Sequence, residues 1–315
     1  MWRHLMKASL ASLVLLLACG TQTEPLALAF RIDRFDNGEW SDPINLGPVV
    51  NSSSFDANAA LSPDGHTLYF VSNRPGGLGN NDIWASHRSC LTCPWETPYN
   101  LGAPINSAAG EGAPSLSENG QLFFFFTTRS DGFGSADTYV SHRISSGPDG
   151  DVWGEPVNLG PDANSASTEN GSYYTREGPD AVVYFNRVVA GSTEIYKVVV
   201  SNDGVPLGPA VAVDELNDPA AADQKVAIRS DGHELFMSTT RAGGFGNLDI
   251  WRSTRPTALV PWSTPTHVGA PINTPDVDSQ PNLSRDGLTL LFTSTRAGGS
   301  GGNDLWMSTR APGGN

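Results

Sequence analysis

Leu61–Arg88 reads LSPDGHTLYFVSNRPGGLGNNDIWASHR, and this stretch decides the fold. It opens with a tight-turn signal, Ser62-Pro63-Asp64-Gly65, in which Pro presets one turn dihedral while Asp and Gly tolerate the rest. A strand-forming run follows, His66–Ser72, then a glycine-rich connection and a second short strand, Asp82-Ile83-Trp84. The same order returns along the whole chain. Its closing aromatics are Trp84, Tyr139, Tyr196, Trp251 and Trp306, at intervals of 55, 57, 55 and 55 residues. A period of that length, filled with strand residues and turns, marks one supersecondary unit repeated. No single unit can bury its own apolar face, so the five must stack on one another.

Working outward, each repeat divides into four short strands. The first leads into the turn; the second is His66–Ser72 and its counterparts Gln121–Thr128, Ala181–Asn186, Glu234–Thr239 and Leu288–Ser294. The third carries the closing aromatic. The fourth is a W-x-x-P-x-N-L-G segment beginning at Trp40, Trp95, Trp153 and Trp262, with a blurred copy near Val205–Pro209. Four antiparallel strands per repeat make a propeller blade. The chain begins with a fourth-strand segment, Trp40–Gly47, and finishes on a third strand, Asp304–Arg310. The N-terminus therefore supplies the strand that the last blade lacks, which leaves no unpaired edge. The expected fold is all-β, a propeller of five four-stranded blades closed by an N-terminal strand. A six-bladed ring that recruits Phe30–Phe35 is the alternative.

The S-P-D-G turn, the Leu-Tyr-Phe strand and the terminal aspartate-aliphatic-Trp resemble the TolB-like, WD40-like β-propeller repeat of bacterial envelope proteins, over about Trp40–Arg310. Repeat two has SENG for SPDG and Thr138-Tyr139 for Ile-Trp. Repeat three scrambles the turn as Arg176–Asp180. Such repeats carry a fold rather than a function.

At the N-terminus Arg3, His4 and Lys7 precede an apolar run of eleven residues, Ala8–Ala18. A membrane-spanning helix needs about 20, so the run reads as a secretory signal. Leu16-Leu17-Ala18-Cys19 resembles the lipobox of bacterial lipoproteins. That resemblance implies removal of residues 1–18, lipidation of Cys19, a tether over 19–29 and one propeller domain over 30–315. Gly20, rather than Asp, after the cysteine implies outer-membrane anchoring, on the periplasmic side or at the surface. An ordinary secretory signal is the alternative. Arg and Lys number 19 against 33 Asp and Glu, a net charge of −14. That surface repels nucleic-acid phosphates and anionic membrane, so contact with a membrane would run through the anchor alone. Basic protein partners or cations remain compatible.

Several recurring features invite a functional reading. The glycine-rich loops lack a following Lys-Ser/Thr or helix, and calcium spacing is absent. Each starts with an Arg eight residues before an Asp: Arg74 and Asp82, Arg129 and Asp137, Arg241 and Asp249, Arg296 and Asp304. A cross-strand ion pair is the expectation for each. Just before each innermost strand stands one carboxylate: Asp56, Glu111, Glu169, Asp223 and Asp278. They keep phase with the blades, so they form either a ring at one channel mouth, open to a cation or a basic partner, or a set of local loop caps. Cys90 and Cys93 form a C-x-x-C with no second pair for zinc, so a short-loop disulfide is expected. No catalytic triad, metal motif or cofactor motif is identifiable.

The reading these features favour is a monomeric, non-enzymatic envelope lipoprotein that binds a protein partner across one face of the ring. The competing reading is a carbohydrate-active enzyme, a glycoside hydrolase or lyase, or a glycan-binding propeller, using carboxylates at the channel mouth.

Overall fold

The computed structural model describes residues 39–147 and 150–312. Cys19, the signal and tether segments and Phe30–Phe35 lie outside the described residues. All regular structure within them is β, in five antiparallel sheets arranged as a ring, each touching the next through its innermost strand. Blade 1 comprises Asp56–Leu61, Thr67–Ser72, Asp82–His87 and Tyr99–Asn100, from the centre outward. Blade 2 comprises Glu111–Leu116, Leu122–Thr127, Asp137–Gly147 and Val157–Asn158, with Gly150–Trp153 folded back on its third strand. Blade 3 runs Glu169–Glu177, Asp180–Val189, Ser192–Val200 and Val211–Ala212; blade 4 runs Asp223–Ile228, Glu234–Thr239, Asp249–Thr254 and Thr266–His267.

Blade 5 is sewn from both ends of the chain. Asp278–Leu283, Thr289–Ser294 and Asp304–Thr309 come from the C-terminal part, and Ile44–Asn45 from the N-terminal part adds the outer strand. Ile44 pairs with Met307 and Asn45 with Trp306. The closure is reinforced where the Ser41 amide donates to the Thr309 carbonyl at 2.8 Å. The ring is thus five-bladed, and the repeat period dictates it.

The core lies between blades. Second strands are buried on both faces, which is why TLYFVS, LFFFFT, ELFMST and TLLFTS are nearly continuous apolar runs. Tyr69, Phe70, Phe123, Phe124, Phe125, Phe236 and Phe292 have no solvent exposure. Burying each such ring contributes about 1.5–3 kcal/mol. Every innermost strand bulges two residues after its acid. Asn58, Ala113, Lys225 and Gln280 have left-handed φ there, and Gly171 has the same hand in blade 3. The glycine-rich loops have a structural cause. Gly79, Gly134, Gly246 and Gly301 lie against the chain entering the next blade, and a Cβ would run into the carbonyl oxygens of Ala109, Ser167, Asp276 and Ser54.

Candidate functional site

Innermost strands of six residues, nine in blade 3, separate two ends of the ring by about 20 Å. At one end stand the recurring acids Asp56, Glu111, Glu169, Asp223 and Asp278. The structure places all five at equivalent positions, each with no exposure. Each accepts a backbone N–H from its own entry loop: Ser52 at 2.6 Å, Ser107 at 3.0, Ser165 at 3.0, Asp218 at 2.6 and Thr274 at 2.7. Each also faces an arginine of its own blade. Arg74 lies 2.5 Å from Asp56, Arg129 3.7 Å from Glu111, Arg187 2.7 Å from Glu169, and Arg241 and Arg296 2.6 Å from Asp223 and Asp278.

This corrects the expected pairing of those arginines with Asp82, Asp137, Asp249 and Asp304. A carboxylate with no exposure needs a counter-charge. The third-strand acids instead accept loop N–H groups, from Leu78, Phe133, Gly246 and Ser300. Each of the five recurring charges is thus compensated inside its own blade. Among the described residues no cluster of three or more His, Cys, Asp or Glu side chains is placed to hold a metal. Cys90 and Cys93 are joined as a disulfide in the loop after the third strand of blade 1.

The other end, where the hairpins lie, is open. A small cavity of about 90 Å³ at the channel mouth takes residues from all five blades, among them Tyr173, Tyr174, Glu118 and Arg285. Glu118 is 38% exposed, with Arg176 3.5 Å from its carboxylate. Arg285 reaches from blade 5 to the Glu118 carbonyl in blade 2, at 3.2 Å. Through Leu61, Ser62, Ser230 and Arg285 the mouth is continuous with a groove of about 920 Å³ between blades 5 and 1. Trp95 and Leu91 line it on one side, and Thr289, Leu291 and Met307 on the other.

Two hairpin aspartates, Asp64 of blade 1 and Asp286 of blade 5, also line the groove. Both are exposed. Asp64 Oδ1 accepts from the Ser62 hydroxyl at 2.6 Å and the His66 amide at 3.0 Å; Asp286 Oδ1 accepts from Ser284 and the Leu288 amide at the same distances. The turn thus occupies one oxygen of each carboxylate and leaves Oδ2 without a protein partner among the described residues. Partial burial pushes the Asp64 pKa up, but the Ser62 and His66 hydrogen bonds outweigh it and hold the carboxyl below its ordinary value. Sequence reasoning passed over these two because S-P-D-G and its relatives are turn signals in every blade. What distinguishes Asp64 and Asp286 is the space beside them.

Comparison with known proteins agrees with the ring. No protein-family model matches the sequence, and no curated protein matches it. Among solved structures the chain is similar to a thermostable family-43 glycoside hydrolase (TM-score 0.58, 14% identity, 85% of this chain and 92% of that one). It is also similar to the native arabinanase of Bacillus subtilis (TM-score 0.59, 11% identity, 84% and 96%). A third is the α-L-arabinofuranosidase of Podospora anserina in complex with cellotriose (TM-score 0.57, 12% identity, 87% and 97%). At these identities the likeness shows a five-bladed fold. It corrects two expectations. The TolB-like, WD40-like resemblance named a repeat pattern, but the structural neighbours are glycoside hydrolases. The non-enzymatic, protein-binding reading favoured a scaffold whose acids recur in register, and the ring these blades build is one found in enzymes.

Proposed function

We propose that the protein is a carbohydrate-active enzyme that hydrolyses glycosidic bonds in the groove between blades 5 and 1. The observation that carries this reading is the pair of hairpin aspartates, each with one oxygen fixed by its turn and the other free, beside a half-buried tryptophan. Glycosidic cleavage needs two carboxyl groups, one to protonate the leaving oxygen and one to activate water or attack the sugar. Asp64, held ionised by its hydrogen bonds, suits the base or nucleophile. Asp286, held in the same turn geometry, supplies the second carboxyl group. Trp95, covered on one side by Arg88 at 4.4 Å, adds apolar surface to the groove wall. The names of the structural neighbours point to arabinose- and xylose-containing polysaccharides as the first substrates to examine.

The experiment is chromatographic assay of sugars released from arabinan, arabinoxylan and xylan. Wild type is expected to release product, and Asp64→Asn and Asp286→Asn each to cut the rate by about 100-fold or more while retaining the wild-type circular dichroism spectrum. No release by wild type, or equal release by both variants, overturns the reading.

A further inference from the structure

The fourth-strand tryptophans come with a recurring partner. An arginine from the end of the third strand lies over each ring: Arg143 over Trp153 at 4.9 Å, Arg255 over Trp262 at 3.8, Arg310 over Trp40 at 4.6 and Arg88 over Trp95 at 4.4. Three of them hold one pose in detail. Nε of Arg88, Arg255 and Arg310 donates to the carbonyl of the hairpin glycine of its own blade, Gly65, Gly232 and Gly287, at 2.7–2.8 Å. The terminal nitrogens of Arg255 and Arg310 then face the preceding blade.

In two of those places a glutamate meets them. Arg310 takes both oxygens of Glu234, at 3.0 and 2.5 Å, and Arg255 lies 3.0 Å from Glu177. Arg143 has its own acid, Asp151, at 3.0 Å. Arg88 has none: among the described residues its terminal nitrogens find no acceptor and it forms no ion pair. The acid that Glu234 supplies in blade 4 has no counterpart in blade 5. Glu234 begins the second strand of blade 4 opposite Thr254, and the corresponding first residue in blade 5, opposite Thr309, is Thr289. Thr289 and Arg88 both line the groove. Burial lowers the Arg88 pKa from its ordinary value, and guanidinium stays protonated nonetheless.

We infer that Arg88, stacked on Trp95, is the seat for a carboxylate of the substrate, so that the groove is built for a glycan bearing uronic acid residues. This rests on the glycan reading above. A ligand carboxylate would occupy the place that Glu234 fills one blade away, and a guanidinium fork suits it bidentately. The chain's net charge of −14 repels an anionic glycan at long range. Recognition therefore belongs to this contact rather than to the overall field.

The test is calorimetric titration of the full chain with glucuronic acid-substituted xylo-oligosaccharides, their methyl esters and the unsubstituted oligosaccharides. The acid is expected to bind at least about 10-fold more tightly than its ester, as loss of a charge-assisted bond implies, and Arg88→Met to erase that difference. Thr289→Glu, which supplies the missing acid from within, is expected to erase it too, with a raised melting temperature. Acid and ester binding wild type alike overturns the inference while leaving hydrolysis of neutral glycans standing. An acid preference that survives in both variants also overturns it. Failure of every oligosaccharide to bind overturns this inference and the glycan reading together.

Discussion

The seam between blades 4 and 5 and the seam between blades 5 and 1 follow one plan with different side chains at its centre: Arg229, Glu234, Phe236 and Arg252 in the first, Ser284, Thr289, Leu291 and Met307 in the second. In the first, Trp40 packs on Phe236 under Arg310, and Arg310 grips Glu234, which Arg229 and Arg252 also approach. In the second, Trp95 and Arg88 take the corresponding places, Thr289 replaces the glutamate, and a groove of about 920 Å³ remains. A repeat protein makes a site in this way without inventing one. This ring closes the seams between blades 3 and 4 and between blades 4 and 5 with an arginine–glutamate contact and leaves the seam between blades 5 and 1 without one. The comparison also shows that exposed charge and buried charge do different work. Glu234 is 1% exposed and locks two blades, whereas Asp64 and Asp286 are exposed and keep an oxygen free.

The largest way to break the comparison is to remove what closes the ring. Deleting residues 39–47 takes away Trp40 and the Ile44–Asn45 strand, exposing the edge of Asp304–Thr309. The expected outcome is loss of cooperative unfolding, or aggregation, followed by denaturant titration and light scattering. An unchanged transition contradicts the shared blade.

Next in size is Glu234→Ala, which strands Arg310 inside the protein. Breaking a buried pair from one side costs about 3–5 kcal/mol, readable by urea unfolding. The pH dependence has a definite sign. Burial raises the Glu234 pKa, but Arg310 and Arg252 outweigh it, so the folded value lies below the unfolded 4.5. Its stabilisation is therefore present above about pH 4.5 and lost as pH falls through the folded value. The variant is expected to lack that acid-side slope.

Lys225, on the innermost strand of blade 4, sharpens the contrast from the contact with blade 3. It is 2% exposed, donates to the Ser172 carbonyl at 2.7 Å and lies over the Tyr173 ring, with no carboxylate among the described residues within ion-pair reach. Burial pushes its pKa down from 10.5 to about 7. The unfolded chain then binds the proton more tightly between those values, so wild-type stability rises with pH from about 7 to 10.5. Lys225→Met is expected to stabilise the protein at pH 7 by a few kcal/mol, an advantage that shrinks as pH approaches 10.5. A variant that is destabilised equally at both pH values contradicts this. Smallest is Arg88→Met. It strands no buried acid and loses only the bond to the Gly65 carbonyl and the Trp95 contact, so it is expected to cost about 1–2 kcal/mol, against roughly 3–5 at Glu234.

Much of this architecture is legible in the sequence because the information is local and repeated. Trp84, Tyr139, Tyr196, Trp251 and Trp306 set the blade count, and Trp40–Gly47 set against Asp304–Arg310 shows how the ring closes. The phase of Asp56, Glu111, Glu169, Asp223 and Asp278 is equally visible, but their partners are not. Arg74 stands eight residues before Asp82, yet its guanidinium turns one strand inward to Asp56, because there the carboxylate has no exposure. The groove is the least legible part. Asp64 and Asp286 look like every other turn aspartate, and Arg88 looks like Arg310. Only contacts across a blade boundary, between residues some 200 positions apart, separate the completed interface from the open one.

The central claim is that the groove between blades 5 and 1 is the sugar site. The most direct measurement is a crystal structure of the Asp286→Asn protein with a xylo- or arabino-oligosaccharide bound. The account expects sugar density over Trp95, with a hydroxyl or glycosidic oxygen near Asp64 Oδ2. Ordered sugar at the end of the ring that holds Asp56 and Asp278, with the groove empty, contradicts it.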